Sequence, residues 1–153
     1  MEYALQEGDI TLPEGFQDRT VNMFVLGSVL PAPLSITVSR DTLLPGETLQ
    51  AYVDRQVKLM ASKLRGYTAL GRKAVFLSTA APMEGVQIDA YYMGEGRPYY
   101  QRQAAFLIEP TRALVFSTTS AADFSPEQTQ GWADLLASFQ PRLPATPATP
   151  EQE

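Results

Sequence analysis

Alternating apolar and polar residues predict strands in the first forty residues of the chain. In the segment 34–40 the apolar and hydroxyl side chains alternate, so the two sets face opposite sides of an extended chain. The apolar set is Leu34, Ile36 and Val38, and the hydroxyl set is Ser35, Thr37 and Ser39. Two further strands are predicted over residues 9–12 and 20–29, between turns that contain glycine and proline.

Apolar residues then recur at helical spacing and predict an α-helix over residues 47–64. Pro45-Gly46 ends the preceding strand, Glu47 suits the positive end of the helix dipole, and Gly66 is the expected C-cap. The apolar stripe consists of Leu49, Tyr52, Val53, Val57, Met60 and Leu64.

Four strands and a second helix are predicted in the rest of the chain. The strands cover residues 67–81 (interrupted near Gly71), 86–93, 99–109 and 112–119, with short links that make them antiparallel neighbours. The second helix begins with a capping box at Ser125 and ends at Pro141. The order of elements predicts one α+β domain over residues 1–140, an antiparallel sheet flanked by two main helices. The Pro/Ala/Thr-rich tail 141–153 is predicted to be disordered.

Composition removes several classes of protein. The 153 residues are 44 % hydrophobic and 19 % charged, as in an ordinary globular protein. The formal net charge of −5 and the absence of basic runs argue against nucleic-acid binding. No apolar run approaches the ~20 residues of a membrane span, and the N-terminal segment does not resemble an export signal. We therefore expect a cytoplasmic protein that does not insert into membranes.

The chain contains no cysteine and no histidine. A thiol nucleophile, a serine–histidine triad, an ordinary zinc site and a histidine-ligated haem are thereby excluded, and no cofactor is expected. The carboxylates nearest to predicted elements share no motif, and each has a structural explanation in a helix side, a strand or a turn. These carboxylates are Asp54, Asp89, Glu95 and Glu109. We therefore expect that the protein is not an enzyme.

Polar residues that interrupt apolar surfaces are more informative. At 100° per residue, Gln56 falls inside the apolar stripe of the first helix. It is either a buried amide bonded to backbone or a contact in a ligand groove. Gln101 and Gln103 lie on one face of a predicted strand. These glutamines, like the hydroxyl residues of segment 35–39, either face solvent or form a surface that a guest helix approaches closely.

Three segments resemble the DcrB-related proteins, and within that group the Eag-type adaptor chaperones of type VI secretion. They are residues 7–22 (EGDITLPEGFQDRTVN), 34–40 (LSITVSR) and 49–56 (LQAYVDRQ). The resemblance covers residues 1–140 and implies a PsbP-like fold and a homodimer. It implies a chaperone that shields the apolar N-terminal helices of a toxin effector and promotes its loading on the spike protein, in a ternary complex.

The resemblance also implies a groove that binds the effector helices. Its apolar walls would be Met23, Val25, Met60 and Leu64, and its polar contacts Ser35, Thr37, Ser39, Gln56 and Gln101. Ile36 and Val38 would lie on the opposite strand face unless a bulge reverses them. Two alternatives remain: a non-catalytic interaction module that binds a folded partner, and a small-molecule binder or hydrolase that uses Asp89 or Glu109.

Overall fold

A computed structural model describes residues 1–29 and 32–142 of the protein. Along the chain the elements are β1 Glu2–Ala4, β2 Asp9–Thr11, β3 Asn22–Val25, β4 Leu34–Thr42, α1 Leu49–Lys63, β5 Thr68–Leu77, β6 Met83–Gly94, β7 Arg97–Glu109, β8 Arg112–Ser120 and α2 Pro126–Ala137. The predicted disordered tail lies, from residue 143 onward, outside the described residues. The same holds for Pro31 in the predicted turn before β4.

Six strands form one sheet in the order β3-β4-β8-β7-β6-β5, and every neighbouring pair is antiparallel. β1 and β2 form a separate two-stranded ladder, of which the sequence analysis missed β1. The predicted α+β fold, an antiparallel sheet with two helices, is confirmed. β6 and β7 meet at a tight turn because Glu95 and Gly96 both have positive φ, 51° and 77°, as a type I′ hairpin turn requires.

The two helices lie on opposite faces of the sheet. The apolar cluster on the α1 side contains Leu43, Tyr52, Val53, Val86, Ile88, Ala90, Ala105, Ala113 and Val115. The cluster on the α2 side contains Leu77, Ala104, Phe106, Leu114, Phe116, Trp132 and Leu136. Alternation along β6, β7 and β8 assigns successive residues to the two clusters. The large aromatic side chains Phe106 and Phe116 stack edge-to-face on the α2 side, whereas three of the α1-side strand residues are alanines.

Several predicted boundaries differ from the structure. Thr48 is the N-cap of α1, and its hydroxyl accepts a hydrogen bond from the Ala51 amide. Glu47 therefore precedes the helix, where its carboxylate forms an ion pair with Arg55 at 2.9 Å. The C-cap is the extended Leu64, and Gly66 lies in the turn beyond it, so the predicted glycine cap is wrong.

The remaining boundaries are closer to the prediction. The capping box at Ser125 and Gln128 is confirmed, although α2 ends at Ala137, before the predicted stop at Pro141. β5 is continuous through the predicted interruption, because a register shift between Ala69 and Gly71 absorbs the irregularity. Pro98 belongs to β7, opposite Met93, and not to the hairpin link.

We predict that Gly85→Ala lowers the free energy of unfolding by about 1–3 kcal/mol. A Cβ at Gly85 would lie 2.3 Å from the Ala105 carbonyl oxygen and 2.4 Å from Cδ1 of Phe106, so the aromatic cluster would have to shift. Gly131→Ala in α2 is the matched control, since a Cβ there has no neighbour within 4 Å and alanine favours helix by up to about 1 kcal/mol. Urea denaturation measures both variants, and an equal effect would contradict the packing described for Gly85.

Candidate functional site

The strand register aligns most of the predicted binding residues in two rows across the sheet. One row runs Met23, Thr37, Ser117, Gln103, and the next runs Val25, Ser35, Thr119, Gln101, from β3 through β4 and β8 to β7. Directly paired residues of antiparallel strands project from the same face of a sheet. All eight side chains therefore share one face, with aliphatic groups at the edge, hydroxyls in the middle and amides at the inner end.

Both rows lie on the face that carries α1. Val115 and Ala105, two residues from Ser117 and Gln103 along β8 and β7, belong to the cluster beneath the helix. Ser39 pairs with Val115 and so joins the same face. Gln56 and Met60 of α1 line a small cavity together with Gln103 and Val115, which places the helix beside the inner end of the rows.

The outer end of the rows is open to solvent. Met23 is 68 % exposed and Val25 is 46 % exposed, although both are apolar. The side chains of Ser35, Thr37 and Thr119 are half-buried, as are the two glutamines, and Ser117 is buried. We call the surface formed by the two rows and by the facing residues Gln56 and Met60 the open face. It slopes from an exposed aliphatic edge to half-buried amides at the foot of α1.

The structure accounts for the other predicted members of the site. Leu64 is half-buried and follows Met60 by one helical turn, so it lies on the same side at the end of α1. Val38 packs in the α2-side cluster and Ile36 pairs with Thr118, which confirms that the apolar set of β4 faces away from the rows. β4 pairs with β8 in one unbroken register, so no bulge reverses this assignment.

Gln56 is tied to a carboxylate on the same face. Its amide nitrogen donates to Oδ2 of Asp41 at 3.5 Å, and the Tyr52 hydroxyl donates to the same oxygen at 2.9 Å. The predicted alternative of a buried amide bonded to backbone is therefore wrong, because Gln56 is half-buried and its partner is a side chain. The long distance leaves the amide able to turn toward another acceptor on the open face.

Carboxylates do not gather in a catalytic arrangement in the described part of the chain. Asp54 pairs with Arg72, Glu95 lies in the hairpin turn and Glu109 is exposed at the end of β7. Asp89 lies on the α2 side, 3.9 Å from Nε of Arg102, which pairs with it across β6 and β7. Residues 1–29 and 32–142 contain no group of three acidic side chains able to hold a metal ion.

A polar network joins α2 to the sheet and includes the carboxylate of Asp89. The Trp132 indole N–H donates to Oε1 of Gln87 at 2.9 Å, and the Gln87 amide donates to Oδ1 of Asp89 at 2.8 Å. Gln87 is only 2 % exposed, so both ends of its amide need these partners. The network extends through Arg102 to the Thr129 hydroxyl. Asp89 thus has a structural role in joining α2 to the sheet.

Two residues of the open face, and one carboxylate bonded to Gln56 beside it, were not predicted from the sequence. Ser117 and Thr119 continue the alternation of β8 past Ala113 and Val115, and the change from apolar to hydroxyl side chains along that face was a usable signal. Asp41 could not be recognised from sequence, because its contacts with Tyr52 and Gln56 cross from β4 to α1.

The sequence matches the DcrB family over residues 7–138, and the chain belongs to that family. It is 28 % identical over 141 residues to the Pseudomonas aeruginosa protein named effector EagT6, a match that covers 92 % of this chain and 95 % of EagT6. The resemblance to DcrB-related and Eag-type proteins is thereby confirmed.

A solved structure shows the same fold. The crystal structure of PA94, a protein of unknown function from Pseudomonas aeruginosa, has a TM-score of 0.72 and 24 % identity, and the match covers 94 % of this chain and 98 % of PA94. Across the described residues, neither helix is long and apolar enough to cross a membrane.

We predict that Tyr52→Phe makes stability less sensitive to alkaline pH. Burial and, next, the hydrogen bond to Asp41 raise the pKa of Tyr52 far above its ordinary value of 10.0. The stability from the protonated hydroxyl is fully present below pH 10.0 and is lost as the pH rises from there toward the folded-state pKa. Urea denaturation at pH 7 and at roughly pH 11 should show a smaller alkaline loss for Tyr52→Phe than for wild type. Equal losses would contradict this role of Tyr52.

Proposed function

We propose that the protein is a chaperone associated with a type VI secretion effector, and that its open face holds the apolar N-terminal helices of that effector. The observation that carries this proposal is the alignment of Met23, Thr37, Ser117 and Gln103 with the parallel row that starts at Val25. The similarity to effector EagT6 supports the secretion system, since the match covers most of both chains.

The side chains of the open face suit an apolar helix. Small hydroxyl residues let a helix backbone approach closely, and Ser, Thr and Gln hydrogen-bond across such contacts, as they do between helices in membranes. Met23 and Met60 are flexible and polarizable, so they adapt to differently shaped side chains. The polar groups meet the occasional polar atom of the cargo, while the exposed aliphatic edge covers its apolar surface.

The dimensions also fit. From β3 to β7 the rows cross three strand spacings, which amounts to about 14 Å at ~4.8 Å each. An α-helix with its side chains is about 10–12 Å wide. One cargo helix can therefore lie on the open face of one chain, with α1 beside the inner end of that face. Shielding matters because each buried CH₂ removes roughly 0.8 kcal/mol of unfavourable contact with water.

A homodimer would provide two open faces for two cargo helices. Exposed apolar side chains outside the rows support a second interface: Phe16, Phe24, Leu26 and Val29. We further propose that the chaperone acts in the cytoplasm, before secretion, and promotes loading of the effector on the spike protein in a ternary complex. Sedimentation of the purified chain tests the dimer separately from cargo binding.

The second candidate is a non-catalytic module that binds the folded surface of a partner. The half-buried hydroxyls of Ser35 and Thr37 favour it as much as they favour a helix, because folded partners also present hydrogen-bonding groups. The two functions differ in the ligand: a module for folded partners gains nothing from an isolated apolar helix.

We predict that Met23→Asp prevents retention of an apolar effector segment. The chain is co-expressed with the N-terminal apolar segment of a candidate effector and purified without detergent. A charge at the 68 % exposed Met23 would face the apolar cargo unpaired, so recovered cargo should fall at least about tenfold. Leu70→Asp is the matched control, because Leu70 is 58 % exposed on the far edge strand and lies outside the open face. Equal recovery with both variants would contradict the proposed site.

We predict that Gln56→Leu alters selectivity more than stability. The substitution keeps the size of the side chain and removes only a 3.5 Å contact to Asp41, so the free energy of unfolding should change by less than about 1 kcal/mol. Binding should shift by roughly tenfold in favour of cargo helices that lack polar residues. Competition between an all-apolar helix and one with a central serine measures the shift, and unaltered preference would exclude a role for the Gln56 amide.

A further inference from the structure

A cleft lined by arginine opens where β3 and β4 separate. The pairing of these strands ends at Asn22 and Val38, although β4 continues to Thr42. The chain before β3 diverges from β4 and leaves an open cleft of about 850 Å³. One bank carries Gln17, Asp18, Arg19 and Val21, and the other carries Arg40, Asp41, Thr42 and Arg112. We call this space the arginine cleft.

The three guanidinium groups of the arginine cleft have no carboxylate partner within the described part of the chain. In the described part of the chain, the arginines that form ion pairs are Arg55, Arg72 and Arg102, none of which lines the cleft. Among the residues that the structure describes, Arg19 donates only to the amide oxygen of Gln17, at 3.3 Å. Arg40 uses one nitrogen, Nη1, which donates to Oδ1 of Asn22 at 2.6 Å and to the Val38 carbonyl oxygen at 3.3 Å.

The two carboxylates of the cleft are engaged elsewhere. Asp18 accepts hydrogen bonds from the Thr20 hydroxyl and from the Thr20 amide, at 2.9 Å for the amide. Asp41 accepts from the Tyr52 hydroxyl on the α1 side. The Thr20 hydroxyl is the main cause that holds the pKa of Asp18 below its ordinary value, and the charges of Arg112 and Arg40 lower that pKa further. The field in the cleft therefore favours a carboxylate.

The exposed strand edge indicates which kind of anion fits. Within residues 1–29 and 32–142, no strand pairs with residues 39–42 of β4 on the cleft side, because β3 begins only at Asn22. An unpaired strand edge offers backbone donors and acceptors in the spacing of an extended polypeptide. A nucleic acid could pair its phosphates with the arginines, but it has no backbone amide groups to pair with this strand edge.

We propose that the arginine cleft binds an acidic, extended segment of a partner polypeptide. Carboxylates of the segment pair with Arg19, Arg40 and Arg112, in the forked geometry that guanidinium groups favour. Arg40 and Arg112 project on the α2 side, because both share the strand parity of Leu114. Thr37, the nearest residue of the rows on β4, lies three residues from Arg40, or about 10 Å, and its side chain projects from the opposite face of the sheet. The site is therefore separate from the open face, and a partner can occupy it while cargo is bound.

Fluorescence anisotropy with a labelled hexaglutamate peptide tests this proposal on the full chain. We expect saturable binding that weakens with salt, and a loss of at least tenfold in affinity for Arg40→Gln combined with Arg112→Gln. The control combines Lys73→Gln with Arg97→Gln, which removes the same charge from exposed positions outside the cleft. Arg112→Gln alone, at an exposed residue, serves as the second variant if the loss of the Asn22 contact unfolds the double variant.

Three outcomes would overturn the proposal. The first is an absence of binding by wild type, and the second is an equal loss in the control, which would indicate general charge attraction. The third is tighter binding of inorganic phosphate or of an oligothymidylate than of hexaglutamate, which would exclude a polypeptide ligand. Retention of an apolar effector segment by wild type tests the proposed chaperone function, and a folded cleft variant should retain as much of the segment as wild type does. Failure of the cleft proposal is therefore distinguishable from failure of the chaperone proposal.

Discussion

The sheet is wider than a single helix can cover, and the surface chemistry of the protein depends on this mismatch. Six strands at ~4.8 Å span about 24 Å between the axes of the edge strands, whereas a helix is about 10–12 Å wide. α1 contacts β6 and β7, and its cluster reaches only the first half of β8. No helix among the described residues covers the β3–β4 side of the same face. Along β8 the side chains of this face change from apolar (Ala113, Val115) to hydroxyl (Ser117, Thr119) where the cover ends.

The two faces of the sheet are packed differently. On the α2 side, Phe106 and Phe116 fill the space between sheet and helix with large rings, and Gln87 is fully paired within that packing. On the α1 side the buried apolar strand residues are alanine, valine and isoleucine, and the polar groups of Ser117 and Gln103 face a partly open surface. The α2 side is thus a closed core around Phe106 and Phe116, with the arginine cleft where β3 and β4 separate, whereas the α1 side is half core and half open surface. Alternation along each strand allows both to be built from one sequence.

Local pattern predicted most of the fold. The stripe through Tyr52 and Val53 placed α1, the alternation in 34–40 assigned the faces of β4, and the capping box at Ser125 placed the start of α2. Errors fell where local signals compete: Thr48 caps α1 in place of an earlier start at Glu47, since Glu47 is drawn to Arg55. β1, a strand of three residues, was not predicted.

The candidate site was predictable in composition but not in arrangement. Ser35, Thr37 and Gln101 were predicted from the family resemblance and from alternation. The rows that join them depend on the strand order β3-β4-β8-β7, in which β8 lies between β4 and β7, two strands that are distant from each other in sequence. Ser117 and Thr119 complete the rows because β8 occupies this position in the sheet. The Asp41 contact to Tyr52 and Gln56 likewise depends on the position of a helix over a strand. Such pairings are long-range, and no local period encodes them.

Site-specific photo-crosslinking shows which surface of the sheet an apolar cargo helix contacts. A photoreactive phenylalanine analogue replaces Met23 at the outer end of a row, and in a second protein it replaces Leu70 on the opposite edge strand, both exposed positions. With an apolar effector helix bound on the open face, we expect a covalent adduct to the cargo from position 23 and none from position 70. Adducts from position 70 alone would contradict this expectation and would place the cargo on a surface other than the open face.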